Sequence, residues 1–209
     1  MTHIAQAINQ ALDHCMSHDK NVVLMGQDIG INGGVFRVTE GLQEKYGSKR
    51  VIDSPISESL LAGMAVGMST HGLKPVIEFQ FMGFLYSALD QIINHLARMR
   101  NRTRGNLHCP AVLRMPYGGG VRAPEHHSES TEALLAHIPG LTVVIPSSPS
   151  QAYHLMIDAI QSPDPVIFLE PKRIYRSYTE VFEPKLNQRY LNRSQIISKG
   201  NDLTIVAWG

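Results

Sequence analysis

Two cysteines in 209 residues, Cys15 and Cys109, exclude a disulfide framework and a thiolate metal cluster. They share no metal-binding spacing, so the sequence predicts a protein of a reducing compartment, the cytoplasm. Charge of one sign is equally scarce. Nineteen Lys and Arg against eighteen Asp and Glu leave a net charge of +1, which provides no footprint for nucleic acid or an anionic membrane. No apolar run approaches the ~20 residues of a membrane-spanning helix. The first residues, Met-Thr-His-Ile-Ala-Gln-Ala, lack the features of a signal or transit peptide. The glycine-rich stretches at 26–34 and 118–120 contain neither the spaced Gly-x-Gly-x-x-Gly nor a phosphate-loop Lys-Ser/Thr, so ordinary turns explain them better than nucleotide binding. Internal repeats and low-complexity segments are also missing.

What remains is the patterning of a soluble α/β domain, with 43% hydrophobic residues to build its core. Apolar runs alternate with helical patterns, which predicts a mainly parallel sheet flanked by helices. Strands are expected at 21–25, 50–53, 74–79, 111–115, 141–145 and 166–169. Helices are expected at 4–16, 39–46, 57–70, 83–99 and 150–160, with Thr39 capping the second and Gln43 nearby. After Pro171 the pattern turns polar and irregular through 198, which reads as a linker. A fresh strand is expected at 202–207. The expected domains are therefore 1–185, and a linker with the first strand of a truncated second domain at 186–209.

Several residue types invite chemistry. Glu58 closes Ser54-Pro55-Ile56-Ser57-Glu58, which joins a strand end to a helix start. Ligands of parallel sheets sit beyond the carboxyl ends of strands, and a first-turn glutamate lies near the helix's positive end. A plain helix-capping role fits the same position. Glu125-His126-His127-Ser128-Glu129 follows a flexible Gly118-Gly119-Gly120 loop. A histidine there can exchange protons near neutral pH, although a polar surface loop explains the string as well. Metal ligation fits less well, because the two histidines are adjacent rather than one helical turn apart, and no metal is expected. Gly63 and Gly67 sit four apart on one helix, suited either to packing on the sheet or to close approach of another subunit. Phe79, Phe81, Met82, Phe84 and Tyr86 suit a core, or one exposed ring can stack on a flat heterocycle.

Six strings occur together and in order: Gly-Gly-Val-Phe-Arg (33–37), Arg-Val-Ile-Asp-Ser-Pro-Ile-Ser-Glu (50–58), Glu-Phe-Gln-Phe (78–81), His-His-Ser-Glu-Ser (126–130), Pro-Gly-Leu-Thr-Val-Val-Ile-Pro (139–146) and Phe-Leu-Glu-Pro-Lys-Arg-Ile-Tyr-Arg (168–176). Over essentially its whole length the chain resembles beta subunits of the pyruvate and branched-chain 2-oxo acid dehydrogenases. The resemblance implies a thiamin-diphosphate-binding α/β fold, this chain carrying the pyrimidine-binding domain. It implies an alpha subunit that binds diphosphate and magnesium, a beta–beta dimer within a heterotetramer, and a lipoyl acyltransferase core as partner. Nucleic acid and membrane are not implied. Glu58 matches the glutamate that hydrogen-bonds the cofactor's pyrimidine nitrogen. Phe84 matches the ring that packs on the pyrimidine, and Ile56 and Gln80 match neighbouring pocket residues. His127 matches the active-site histidine, whereas His126 falls where relatives vary.

The implied reaction is oxidative decarboxylation of pyruvate with reductive acyl transfer to a lipoyl group. Branched-chain 2-oxo acids and acetoin are the alternative substrates, and a non-catalytic assembly module is the alternative role. Relatives have Gly-Glu-Asp where this chain has Gly26-Gln27-Asp28. That glutamate belongs, with the counterpart of Asp90, to an acidic tunnel between active sites, so the resemblance leaves proton communication between sites in doubt here.

Overall fold

The computed structural model describes residues 1–184 and 189–209, so the expected domain boundary at 185/186 lies outside the described residues. In chain order the elements are β1 (Thr2–His3), α1 (Ile4–His18), β2 (Val22–Gly26), α2 (Leu42–Tyr46), β3 (Val51–Asp53), α3 (Glu58–Thr70) and β4 (Lys74–Glu78). A 3-10 helix (Met82–Ala88) and a π-helix (Gln91–Leu96) follow. Then come α4 (Met99–Arg102), β5 (Val112–Tyr117), α5 (Glu132–Ala136), β6 (Thr142–Val144), α6 (Pro149–Gln161), β7 (Val166–Pro171), a 3-10 turn (Lys172–Ile174) and β8 (Thr179–Glu180).

Six strands form one all-parallel sheet in the order β3-β2-β4-β5-β7-β6, as expected of apolar strands buried on both faces. Alternation along each strand splits the core. Val22, Leu24, Val76, Val112, Val166 and Phe168 face α1 and α6. Met25, Ile77, Leu113, Met115, Ile167 and Leu169 face α3 and the segment 82–96. Each fully buried aliphatic side chain contributes about 1.5–3 kcal/mol. Local signals set the helix starts. His3 and Gln6 form a reciprocal cap on α1, and Ser148 caps α6 with Pro149 in its first turn.

Four expectations need correction. Thr39 does not cap a helix: its buried hydroxyl donates to the Ile29 carbonyl at 2.7 Å, and α2 begins only at Leu42 after Gly41. The helix expected at 83–99 is not continuous. It tightens to 3-10 winding over 82–88 and widens to π winding over 91–96. Residues 202–207 form no strand; they are exposed and make no ladder among the described residues. Alternating apolar residues read as a strand only where a partner edge exists. Finally, the polar stretch after Pro171 is not free linker at its start. Tyr175 is buried, β8 pairs antiparallel with β1, and Asp158 accepts the Leu191 N–H at 2.9 Å. Both cysteines are free and buried, and no helix of the described residues is long and apolar enough to cross a membrane.

Candidate active site

The chain leaves β2 for β3 on one side and returns to β4 on the other. Such a switch point opens a crevice at the carboxyl ends of the two strands, the usual ligand site of an open parallel sheet. Gly26 ends β2 and pairs in register with Glu78, which ends β4. A side chain at 26 would press on Glu78, since a Cβ there would stand 2.9 Å from the Glu78 Cβ. Beyond the strand ends the Gln80 amide donates to Asp28 at 3.3 Å and spans the crevice mouth.

Glu58 is the first residue of α3, delivered there by the turn that follows β3. Ser57 makes no side-chain cap, and Glu58, at the first helical position, stands two residues before the one a capping box would use, Leu60. The Glu58 carboxylate instead meets the Ser87 hydroxyl, 3.5 Å from Oε2. It is half-buried rather than buried. Ser87 also donates to the Phe84 carbonyl at 3.2 Å, which ties Glu58 to the 3-10 segment that presents Phe84. Ile56, two residues before Glu58, projects with 74% of its surface exposed.

His127 joins the same face through ring contacts. Its centroid lies 4.5 Å from that of Phe81 and 5.4 Å from that of Phe84, and the two phenylalanines stand 5.6 Å apart. Two backbone devices place it. His126 holds a left-handed φ of 72°, costly for a residue with a side chain, which turns His126 to solvent and His127 inward. Gly83 lets the backbone of His126 close onto the 3-10 segment, where any side chain would collide. The adjacent histidines therefore have different surroundings, half-buried against exposed.

Beneath the crevice lies a charge cluster that no sequence motif announced. Glu78, Arg114 and Glu170 sit on one face of the neighbouring strands β4, β5 and β7, all buried. Arg114 donates to Glu170 at 2.6 and 2.8 Å and to Glu78 through its remaining Nη. The buried Tyr175 hydroxyl donates to Glu170. With Glu170 so well served, Glu78 carries the unmatched charge: burial pushes its carboxyl above the ordinary range, against the pull of Arg114. Glu170, beside it, holds the Tyr175 phenol well above its usual value, after burial itself. The signal for this cluster was in the sequence, as one charged residue inside or ending each of three apolar runs.

The arrangement can hold a flat heteroaromatic ring. A carboxylate offers a partner to a ring nitrogen, an amide offers donor and acceptor at the edge, and Phe84 and Ile56 offer apolar faces. The donor set thus fits an aminopyrimidine. It does not fit a metal: no group of three or more histidine, cysteine or carboxylate ligands converges among the described residues. His14 and His18, one turn apart on α1 with ring centroids at 4.3 Å, supply only two. Two hollows, of about 550 and 680 Å³, lie elsewhere, and none of Ile56, Glu58, Gln80, Phe84 or His127 lines either.

A side chain at Gly63 would come into ordinary contact with Gln91, its Cβ 3.6 Å from Oε1, whereas one at Gly67 would meet nothing within 4 Å. Packing among the described residues demands glycine at neither position; Leu60 and Met64 nearby are exposed. Gln27 is half-buried at the crevice, and Asp90 is exposed and accepts from Asn94 at 2.8 Å.

The family described as Transketolase, pyrimidine binding domain, matches residues 1–177. The pyruvate dehydrogenase E1 component subunit beta of Acholeplasma laidlawii is 51% identical over 99% of this chain and 63% of its own length. The protein of the same name from Mycoplasma genitalium is 50% identical over 98% of this chain and 63% of its own. The Staphylococcus aureus protein of that name is 43% identical, again over 63% of its length. The chain therefore spans under two thirds of these curated relatives. A solved structure titled "Split gene transketolase, inactive beta4 tetramer" superposes with a TM-score of 0.69 over 91% of this chain and 56% of its own, at 20% identity, which is a likeness of fold.

Proposed function

Because the chain belongs to the transketolase pyrimidine-binding domain family, we propose that it is the pyrimidine-gripping part of a 2-oxo acid dehydrogenase beta subunit acting on pyruvate. The observation that carries the reading is the meeting of Glu58, Phe84 and His127 on one open face beside the β2–β4 crevice. The names of the similar proteins support pyruvate as the substrate. Thiamin diphosphate, when bound, supplies the chemistry that releases carbon dioxide from a 2-oxo acid. Glu58 would hold a proton at the pyrimidine nitrogen, Phe84 and Ile56 would sandwich the ring, and Gln80 would meet its edge. His127 would orient the substrate or hand over a proton during acyl transfer to a lipoyl group.

Diphosphate and magnesium would rest on an alpha subunit, which would cover the open face. Ile56, just before α3, and Leu60, Met64 and Gly67 along it are exposed and suit contacts in a heterotetramer with a beta–beta dimer. The lipoyl acyltransferase core would be the further partner. The pyrimidine-binding domain would run through 1–185, with 186–209 leading to a second domain. Two free, buried thiols suit the cytoplasm.

Two outcomes test this. Isothermal calorimetry of this chain alone should detect only weak binding of thiamin diphosphate, because the phosphate and metal contacts lie on the partner. Tight, magnesium-dependent binding would contradict the half-site reading. In the complex with an alpha subunit, His127→Ala should slow acylation of the lipoyl group by ~100-fold, while His126→Ala changes it little. Equal, small effects of both substitutions would remove His127 from the chemistry.

A further inference from the structure

Near the rings one charged group has no role in the site as described so far. Lys172 follows β7 in the turn Lys172–Ile174 and is half-buried. Its ammonium donates to the backbone carbonyl of His127 and stands 5.1 Å from the Phe81 ring centroid. No carboxylate pairs with it among the described residues, and burial lowers its pKa. A cation taken from water without a counter-ion is costly, and a carbonyl and an aromatic face return only part of that cost. The side chain is therefore held where it is by a geometry that favours its contacts over full solvation.

We infer that Lys172 is a positioning residue that clamps the His127 loop to the end of the sheet. Three features of the structure support this. The base of the clamp is rigid, since Glu170, two residues before Lys172, is gripped by two Arg114 N–H groups and by Tyr175. The loop has no regular structure of its own: residues 118–130 contain no helix or strand, the Gly118 N–H closes its base on the Glu129 carbonyl at 2.9 Å, and within it the His127 N–H reaches the Pro124 carbonyl at a long 3.4 Å. Its left-handed His126 would relax to a commoner conformation without an external hold. The lysine touches the loop at the residue whose ring lies against Phe81 and Phe84, so the clamp fixes the backbone of His127 while Phe81 fixes its ring. Lys172 need not touch substrate; it acts through His127.

The inference rests on the proposed function, and the experiment separates the two. Lys172→Met and Lys172→Arg are compared in the complex with an alpha subunit. Lys172→Met should reduce kcat for lipoyl acylation about tenfold or more, as expected when a reacting group drifts by an ångström, with KM for the 2-oxo acid within about twofold. Backbone amides of 118–128 should exchange with deuterium faster, read by mass spectrometry. Lys172→Arg, which keeps a cationic donor, should restore most of both. Proton exchange at the cofactor's thiazolium carbon, assigned to Glu58, should stay at the wild-type rate. Wild-type acylation and loop exchange in Lys172→Met would overturn the clamp. So would an arginine variant as impaired as the methionine variant, or loss of thiazolium exchange in either. A wild-type complex that neither exchanges that proton nor decarboxylates pyruvate would sink the proposed function instead.

Discussion

Glu58→Gln is expected to slow proton exchange at the thiazolium carbon by ~100-fold or more in the complex with an alpha subunit. The amide keeps the size of the carboxyl and can still meet the Ser87 hydroxyl, 3.5 Å from Oε2 in the native chain. It cannot take up or release a proton at the ring nitrogen. Folding should be unaffected, because Ser57 and Glu58 form no cap whose loss would fray α3. Cofactor affinity should fall less than the exchange rate, since the phosphate contacts are expected on the partner. Glu58→Asp retains the acid but withdraws it by one methylene, and should fall between the two. Hydrogen–deuterium exchange followed by NMR reads the rate directly. Exchange at the wild-type rate in Glu58→Gln would reduce Glu58 to a surface residue and end the catalytic assignment.

The second large effect is on stability. Arg114→Met leaves Glu78 and Glu170 buried without their cation, and breaking a buried ion pair from one side costs about 3–5 kcal/mol. Glu78→Gln combined with Glu170→Gln should recover most of that loss, since neutral groups need no counter-charge. The loss should also depend on pH. In the native chain burial raises the Glu78 pKa while Arg114 opposes the rise. Without Arg114 the opposition is gone, so the folded state binds protons more tightly than the unfolded one. Stability of the variant is then fullest below the ordinary carboxylate pKa of about 4.3 and is lost as pH rises through the elevated folded value. The gap to wild type should widen from pH 5 to pH 8 in urea titrations. A loss under about 1 kcal/mol at pH 8 would show that the cluster is hydrated rather than dry.

Why some of this was legible beforehand follows from the range of the forces involved. Parallel strands buried on both faces announce themselves as short apolar runs, and all six sheet strands lie within two residues of their expected positions. Caps are local as well, which is why α1 and α6 start where Ile4 and Ser150 suggested, give or take a residue. Thr39 misled because its hydroxyl found a carbonyl ten residues earlier in chain, a contact set by loop folding. The break between 3-10 and π winding at 82–96 is likewise tertiary, for α3 packs along both segments. Of the expected site residues, Glu58, Phe84 and His127 come together, and Gln80 stands at the crevice mouth. Their convergence depends on strand order, which no local pattern specifies. Lys172 was passed over because the residues around it read as the start of a linker. The Glu78–Arg114–Glu170 cluster stays hidden because a single charge inside or ending an apolar run gives no sign that neighbouring strands carry its partners.

The pairing of β1 with β8 and of α1 with α6 sets an order of events during synthesis. Thr2 and His3 pair with Glu180 and Thr179, and Ile4, Ile8 and Leu12 are covered by a helix that begins at Pro149. A ribosome adding about 5–20 residues per second needs roughly ten to thirty seconds to deliver that cover. For this interval α1 carries a bare apolar stripe. The earliest-made part of this fold is covered last, so the nascent domain is most prone to association just before α6 arrives.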